Sequence, residues 1–337
     1  MRWISILGWI LLAGLWLASV VFVLGVLWYQ GPASVFLRIA ALVAWLAISG
    51  GCAVWYLRWR DARAWLAYIV PFGVLLLWFL SIAPRNDRDW SPEMAHTLDY
   101  QRQGDQIVLS NVRNFNWTGP KRADERWETR HYDLGQLRGV DVLSLYWMGR
   151  SIAHTYFSFV WADGQALSLS VEIRKEKGEG YSPIGGFFKA YELAILAGDE
   201  RDFYGWRVFY PAEDIELFHT RATPDEARKL LLEMLDGANK LARAPTYYNT
   251  LTDNCTTEAW MLTAALGAGR PMDRRMLISG YLPELLYELK ILDNSRSLDE
   301  LRTASHILPR AKSALDHGLE GPAFSAAIRE GTPALAH

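Results

Sequence analysis

Residues 152–173 read IAHTYFSFVWADGQALSLSVEI and decide how the polar part of the chain folds. Residues 152–161 and 165–173 are rich in apolar, aromatic and β-branched side chains. They flank Ala162-Asp163-Gly164, a tight-turn signal, so the stretch reads as a β-hairpin. His154 stands out at the start of the first strand, where a polar ring among apolar neighbours needs a reason. A hydrogen-bonded core histidine is one reason and a catalytic base is another. If the strands pair so that residue numbers sum to 326, Glu172 faces His154. A slip of one residue would turn it to the other face. Glu172 could equally serve as a partner for Arg174 or Lys175.

Further strands are expected at residues 106–115, around Ile107, Leu109 and Val112, and at 126–134 and 139–147. The Gly-rich run 177–186 reads as a loop; it lacks the spacing of a phosphate-binding loop. Thr223-Pro224-Asp225-Glu226 opens a helix with an N-cap and a proline at the first helical position. Leu230, Leu231, Met234, Leu235, Ala238 and Leu241 then line one face of it. Residues 253–265 and 282–292 are expected helices, and 321–337 a loose tail. The pattern is α+β, one antiparallel sheet with helices packed on it.

The chain has two cysteines. Cys52 falls in an apolar segment and Cys255 is alone in the polar part. Exported proteins tend to pair their cysteines, so a lone one is either a buried structural residue or a reactive thiol. Its context is Tyr248-Asn249-Thr250-Leu251-Thr252-Asp253-Asn254-Cys255-Thr256-Thr257, which places the sulfur in the first turn of the expected helix 253–265. Unpaired N–H groups and the helix dipole there favour a thiolate and can hold an oxyanion. A thiol nucleophile wants a base. Of seven histidines, His154 is the one on an apolar strand, with Glu172 a candidate to orient it. Asn254 could add its amide to the oxyanion site. No metal-ligand spacing is present, so neither a metal nor a cofactor is expected.

The first quarter is different in kind. Among 337 residues of net charge −2, residues 1–83 carry five Arg, no Lys and one Asp, while the remainder is acidic. Residues 4–37, 39–57 and 64–84 contain no charged residue, and each is long enough for a membrane span of about 20 residues. Pro71 lies inside the third, where it can kink a helix without ending it. A cleaved signal peptide fits poorly, because the first apolar run is too long and two more follow. Arg58, Arg60 and Arg63 mark the short turn between spans 2 and 3 as cytoplasmic, which puts the N-terminus inside and everything after Pro84 outside. The spans hold no Asp, Glu, Lys or His, so they read as an anchor rather than a transport path. The acidic remainder lacks a basic stripe and is no nucleic-acid binder. The expected division is an anchor at 1–84, a linker at 85–100, a catalytic domain at 101–295 and a C-terminal helix and tail at 296–337.

Four motifs, SIAHTYFSF at 151–159, LSVEIR at 169–174, GYSPIGGFFKAY at 180–191 and YNTLTDNCTT at 248–257, together resemble the Lnb N-terminal periplasmic domain (DUF4105) family. More broadly the arrangement is similar to the permuted NlpC/P60 (papain-like) superfamily, in which a histidine strand precedes a cysteine at a helix start. The resemblance implies Cys255 as nucleophile and His154 as base. It also implies acyl transfer through a Cys thioester at the bacterial inner membrane, from a membrane phospholipid to the N-terminal diacylglyceryl cysteine of a lipoprotein. Arg174, Tyr181 and Tyr191 could then orient the donor headgroup. Tyr248 is either part of the site or a turn residue. Two competing functions are a papain-like amidase acting on cell-wall peptides, which needs the same cysteine, and a binding protein, which does not.

Overall fold

The computed structural model describes residues 2–147, 149–250 and 278–333, together with 252, 262, 264, 273 and 275. The expected helix 253–265, with Asn254 and Cys255, therefore lies outside the described residues apart from Leu262 and Ala264. The chain forms two compact units, one of residues 1–85 with 181–191 and one of residues 86–180 with 192–337.

The first unit is built on three long apolar helices, α1 (Arg2–Gln30), α2 (Val35–Trp59) and α3 (Arg63–Ser81). All three are long and apolar enough to cross a membrane. Helix α3 runs through Pro71 without a break, as anticipated. Val20, Val23, Leu27, Trp45 and Tyr68 form the buried seam of the bundle. Two polar groups of the seam are paired, as a low-dielectric setting favours: Trp45 Nε1 donates to the Val20 carbonyl at 3.2 Å, and the Tyr68 and Ser19 hydroxyls bond at 2.6 Å. Arg38 donates to the Pro32 carbonyl at 3.1 Å and lies over the Trp28 ring, keeping its charge near the end of the bundle.

The second unit is a single large sheet covered on both faces. Its main path runs β1 (Asp99–Gln103), β2 (Gln106–Arg113), β9 (Glu192–Gly198), β8 (Ala166–Arg174), β7 (Ala153–Trp161), β6 (Leu137–Tyr146), β10 (Asp214–His219). Strand β5 (Trp127–Asp133) joins on β2, and β3 (Asn116–Gly119) with β4 (Arg122–Asp124) forms a small separate ribbon. The sheet is mixed rather than wholly antiparallel, because Arg113 of β2 pairs in parallel with Gly198 of β9. The register of β2 shifts between Leu109 and Val112, where Asn111 takes a positive φ of 63°. Such a bulge bends a strand and releases its end to a new neighbour.

The β7–β8 hairpin pairs Phe157 with Leu169 and Ser158 with Ser168, the register that sums to 326. One face of it buries Phe157, Phe159, Leu167, Leu169 and Val171 beneath α5 (Pro224–Arg243) and the helix Leu282–Glu288. The other face carries Tyr156 and packs with Phe203 and Tyr204 of α4 (Glu200–Gly205) and with the helices Leu308–Asp316 and Gly321–Arg329. Helix α5 starts with the full reciprocal cap: Glu226 N donates to Thr223 Oγ1, and Thr223 N donates to the Glu226 carboxylate.

Two segments depart from expectation. The expected linker 85–100 is packed into the domain: Trp90, Met94 and Leu98 are buried, and Asn86 donates to the last carbonyls of α5 at Leu241 and Ala242. The expected loose tail contains a helix, Gly321–Arg329, that buries Phe324 and Ile328 against the sheet layer. Both carry apolar side chains four residues apart, which suffices to dock one helical or turn face.

Candidate functional site

Strand alternation puts Ser168, Ser170, Glu172 and Arg174 of β8 on one face and the core residues between them on the other. His154 and Tyr156 share that polar face from β7. His154 Nε2 lies 2.9 Å from Glu172 Oε1 and 2.7 Å from Ser170 Oγ, and Ser170 itself donates to Glu172 Oε1 at 2.9 Å. Tyr156 meets the imidazole edge to face, with ring centroids 4.6 Å apart.

Burial by itself would raise the Glu172 carboxyl, but His154, Arg207 and the Ser170 hydroxyl reverse this and hold it at about 2. Glu172 is therefore a carboxylate across the neutral range, and a carboxylate only accepts hydrogen bonds. Nε2 must donate to it. That fixes the neutral imidazole as the Nε2–H tautomer and leaves the basic lone pair on Nδ1. A base at Nδ1, oriented by a carboxylate behind Nε2, is the arrangement a thiol nucleophile needs.

A second layer backs the pair. Arg207 donates to the Tyr156 hydroxyl at 2.9 Å and to Glu213 at 3.3 Å. Burial opposes the Arg207 charge, yet Tyr156, Glu213 and Glu172 together raise its affinity for the proton. Burial pushes the Glu213 carboxyl up, against the pull of Arg207 and His154. Sequence reading missed Ser170, Arg207 and Glu213. Ser170 was within reach of it, because it lies two residues before Glu172 and so on the same strand face. Arg207 and Glu213 come from a segment whose pattern gives no hint of the sheet.

The other anticipated residues are placed as follows. Arg174 is buried, stacked on Trp90 at 4.3 Å, and donates to Asn86 Oδ1 and the Met94 and Ala95 carbonyls. Tyr248 is buried beside the isolated bridge between Glu192 and Tyr247. Tyr181 and Tyr191 belong to the helical unit; Tyr181 is exposed, and the buried Tyr191 hydroxyl accepts from Ser182 N at 2.8 Å. Arg174 thus serves the packing of residues 86–95 rather than the His154 pair.

Residues 123–280 match the family model of the Lnb N-terminal periplasmic domain. It is the family that the four motifs resemble. The Lnb match begins just before β5 and takes in β6 to β10, α5 and the position of Cys255, so the His154–Glu172 pair lies inside it. The three apolar helices precede the Lnb segment. No curated protein and no solved structure matches the chain, so the permuted papain-like topology rests on the motif resemblance alone.

Proposed function

We propose that this chain is a membrane-bound thiol acyltransferase that moves a fatty acyl group from a phospholipid to the N-terminal amine of a bacterial lipoprotein. The observation that carries this reading is the His154–Glu172 pair inside the Lnb-type segment, with its basic lone pair directed to Nδ1. The three helices and the family's periplasmic description support an inner-membrane protein with its catalytic domain in the periplasm. Arg58, Arg60 and Arg63 in the turn between α2 and α3 support a cytoplasmic N-terminus.

In this mechanism His154 Nδ1 takes the proton of Cys255. The thiolate attacks the ester carbonyl of the donor, and backbone N–H groups around Asn254–Thr257 stabilise the oxyanion. The C–O bond breaks as protonated His154 returns its proton to the departing lysophospholipid hydroxyl. A thioester remains on Cys255. The lipoprotein amine, losing its proton to His154, attacks that carbonyl, and the amide forms as the Cys255 sulfur leaves. Glu172 stays ionised and holds the imidazolium in place.

The test is the intact mass of lipoprotein N-termini in cells that lack other N-acyltransferases, with and without this chain. A gain of one acyl group that depends on Cys255 and His154 is expected. An unchanged mass overturns the reading. Release of cell-wall peptides by the purified protein, without thioester formation from labelled phospholipid, would make it an amidase instead.

A further inference from the structure

The chain leaves β8 at Arg174 and enters β9 at Glu192, yet residues 181–191 between them belong to the helical unit. The contacts are specific. Phe188 stacks on Tyr29 with ring centroids 5.6 Å apart and lies 5.9 Å from Phe22, which meets Phe79 edge-on at 5.4 Å. A Cβ at position 25 would lie 2.2 Å from the Phe188 ring, so Gly25 is what lets the ring in. Gln30 donates to the Phe188 and Lys189 carbonyls at 2.9 and 2.8 Å, and the Tyr29 and Ser182 hydroxyls bond at 2.8 Å. Lys189 Nζ donates to the Phe79 and Ile82 carbonyls at 2.8 and 3.0 Å, at the negative end of α3.

Helix lengths set the depth of these contacts. Helix α3 has 19 residues, which makes it about 28 Å long, no longer than a hydrocarbon core of about 30 Å. An α3 that crosses the core from an edge at Arg63 brings its last carbonyls, where Lys189 binds, to about the opposite edge. Phe22 precedes the end of α1 by eight residues, about 12 Å along the axis. A ring that reaches Phe22 lies below the level of the headgroups. The same segment exposes Tyr181, Ile184 and Phe187 at 44%, 60% and 44% of their surface. Three large exposed apolar or aromatic side chains within seven residues, tied to the end of a spanning bundle, match an interfacial lipid contact.

We propose that residues 181–191 form a membrane-inserted loop, hooked into the bundle by Phe188, with Ile184 and Phe187 among the phospholipid acyl chains of the leaflet opposite the 58–63 turn. The loop brings the chain crossings between the two units to three, after residues 85, 180 and 191. It goes beyond the acyltransfer reading and does not depend on Cys255.

The test uses the full chain with Cys52→Ala and Cys255→Ala, carrying a single nitroxide label at Ile184→Cys, Phe187→Cys or, as reference, Asp163→Cys in the exposed hairpin turn. Each is reconstituted in phosphatidylethanolamine–phosphatidylglycerol vesicles, and collision with oxygen is compared with collision with a water-soluble nickel chelate. All three side chains are exposed, so the labels displace no packing. The oxygen-to-nickel ratio at 184 and 187 should exceed that at 163 several-fold. Equal ratios at the three sites would overturn the proposal, whether water or another protein covers the loop. Adding Gly25→Leu should expel Phe188 and drop the ratio at 184 toward that at 163; an unchanged ratio would refute the hook. Because Cys255 is absent throughout, a failure here and a failure of acyltransfer are read separately.

Discussion

His154 on β7 and Glu172 on β8 meet Nε2 to Oε1 at 2.9 Å across a hairpin whose turn lies at Ala162–Gly164. In the proposed mechanism the contact makes Glu172 a positioning residue: it sets which imidazole nitrogen is basic. If the chain is the proposed acyltransferase, His154→Ala should lower acyl transfer by about 10²- to 10⁴-fold, the usual share of a general base. It should also move the pH midpoint of Cys255 alkylation, followed by peptide mass spectrometry, up toward the ordinary thiol value of about 8.5. Glu172→Gln keeps the shape but frees the tautomer. It should shift the same midpoint in the same direction by less. A purely structural Glu172 would leave the midpoint where it is.

The depressed carboxyl of Glu172 also predicts an acid limb of stability. Its folded value, about 2, lies below the unfolded value of about 4.3. A group of that kind stabilises fully above the unfolded value and loses the contribution as pH falls through the folded one. The melting-temperature gap between the native chain and Glu172→Gln should therefore be fully open at pH 5 and narrow from about pH 4 toward pH 2. A gap that stays open at the lowest pH would mean that packing, not charge, is what the substitution removes.

Arg329, on the last helix, joins three parts of the domain. It donates to Asp141 on β6 at 2.9 Å, to Glu200 on α4 at 2.6 Å and to Ser158 on β7 at 3.2 Å. Asp141 and Glu200 are buried, so Arg329→Ala would remove the guanidinium they share, leaving Asp141 to His219 and Glu200 to the Ser158 hydroxyl. Such losses cost about 3–5 kcal/mol, and unfolding of the purified chain should report a drop of that order. His219 pairs with the same Asp141 at 2.6 Å. Asp141 raises the His219 proton affinity more than burial lowers it. This contribution is fully present below the unfolded histidine value of about 6.5 and is lost as pH rises through the raised folded one. Stability should therefore fall on the alkaline side, and His219→Gln should flatten that fall.

The site's two strands were legible from their apolar side chains and the turn signal between them, but their register was open; the fold takes the one that sums to 326, in which Glu172 faces His154. The spans were legible because about 20 uncharged residues have few other uses. What escaped was long-range. Arg113 pairing in parallel with Gly198 depends on a bulge at Asn111, where a single positive φ redirects a strand, and no local pattern announces it. Arg329 and Arg207 were hidden for a related reason. A lone arginine among aromatic or small apolar side chains gives no sign of its partner, and only the fold reveals the carboxylates and hydroxyl that meet it.

Arg174 illustrates how the two readings part, and a substitution separates them. As a headgroup ligand it would stand open at the surface. In the fold it is buried, with burial pulling its guanidinium down to about 10 and Glu192 opposing that pull. Its Nη1 donates to Asn86 at 2.8 Å, Nε to the Met94 carbonyl at 3.1 Å and Nη2 to the Ala95 carbonyl at 3.2 Å, while its plane covers Trp90. A lysine cannot reproduce that fork or the stack. Arg174→Lys should therefore destabilise the domain by about 2–4 kcal/mol, through carbonyls left without donors and a loosened Trp90. Measured well below its melting temperature in an assay of the proposed acyl transfer, the variant should keep the KM of the unsubstituted chain for the phospholipid donor. A raised KM with unchanged stability would return Arg174 to the donor site and remove it from the bracket that holds residues 86–95.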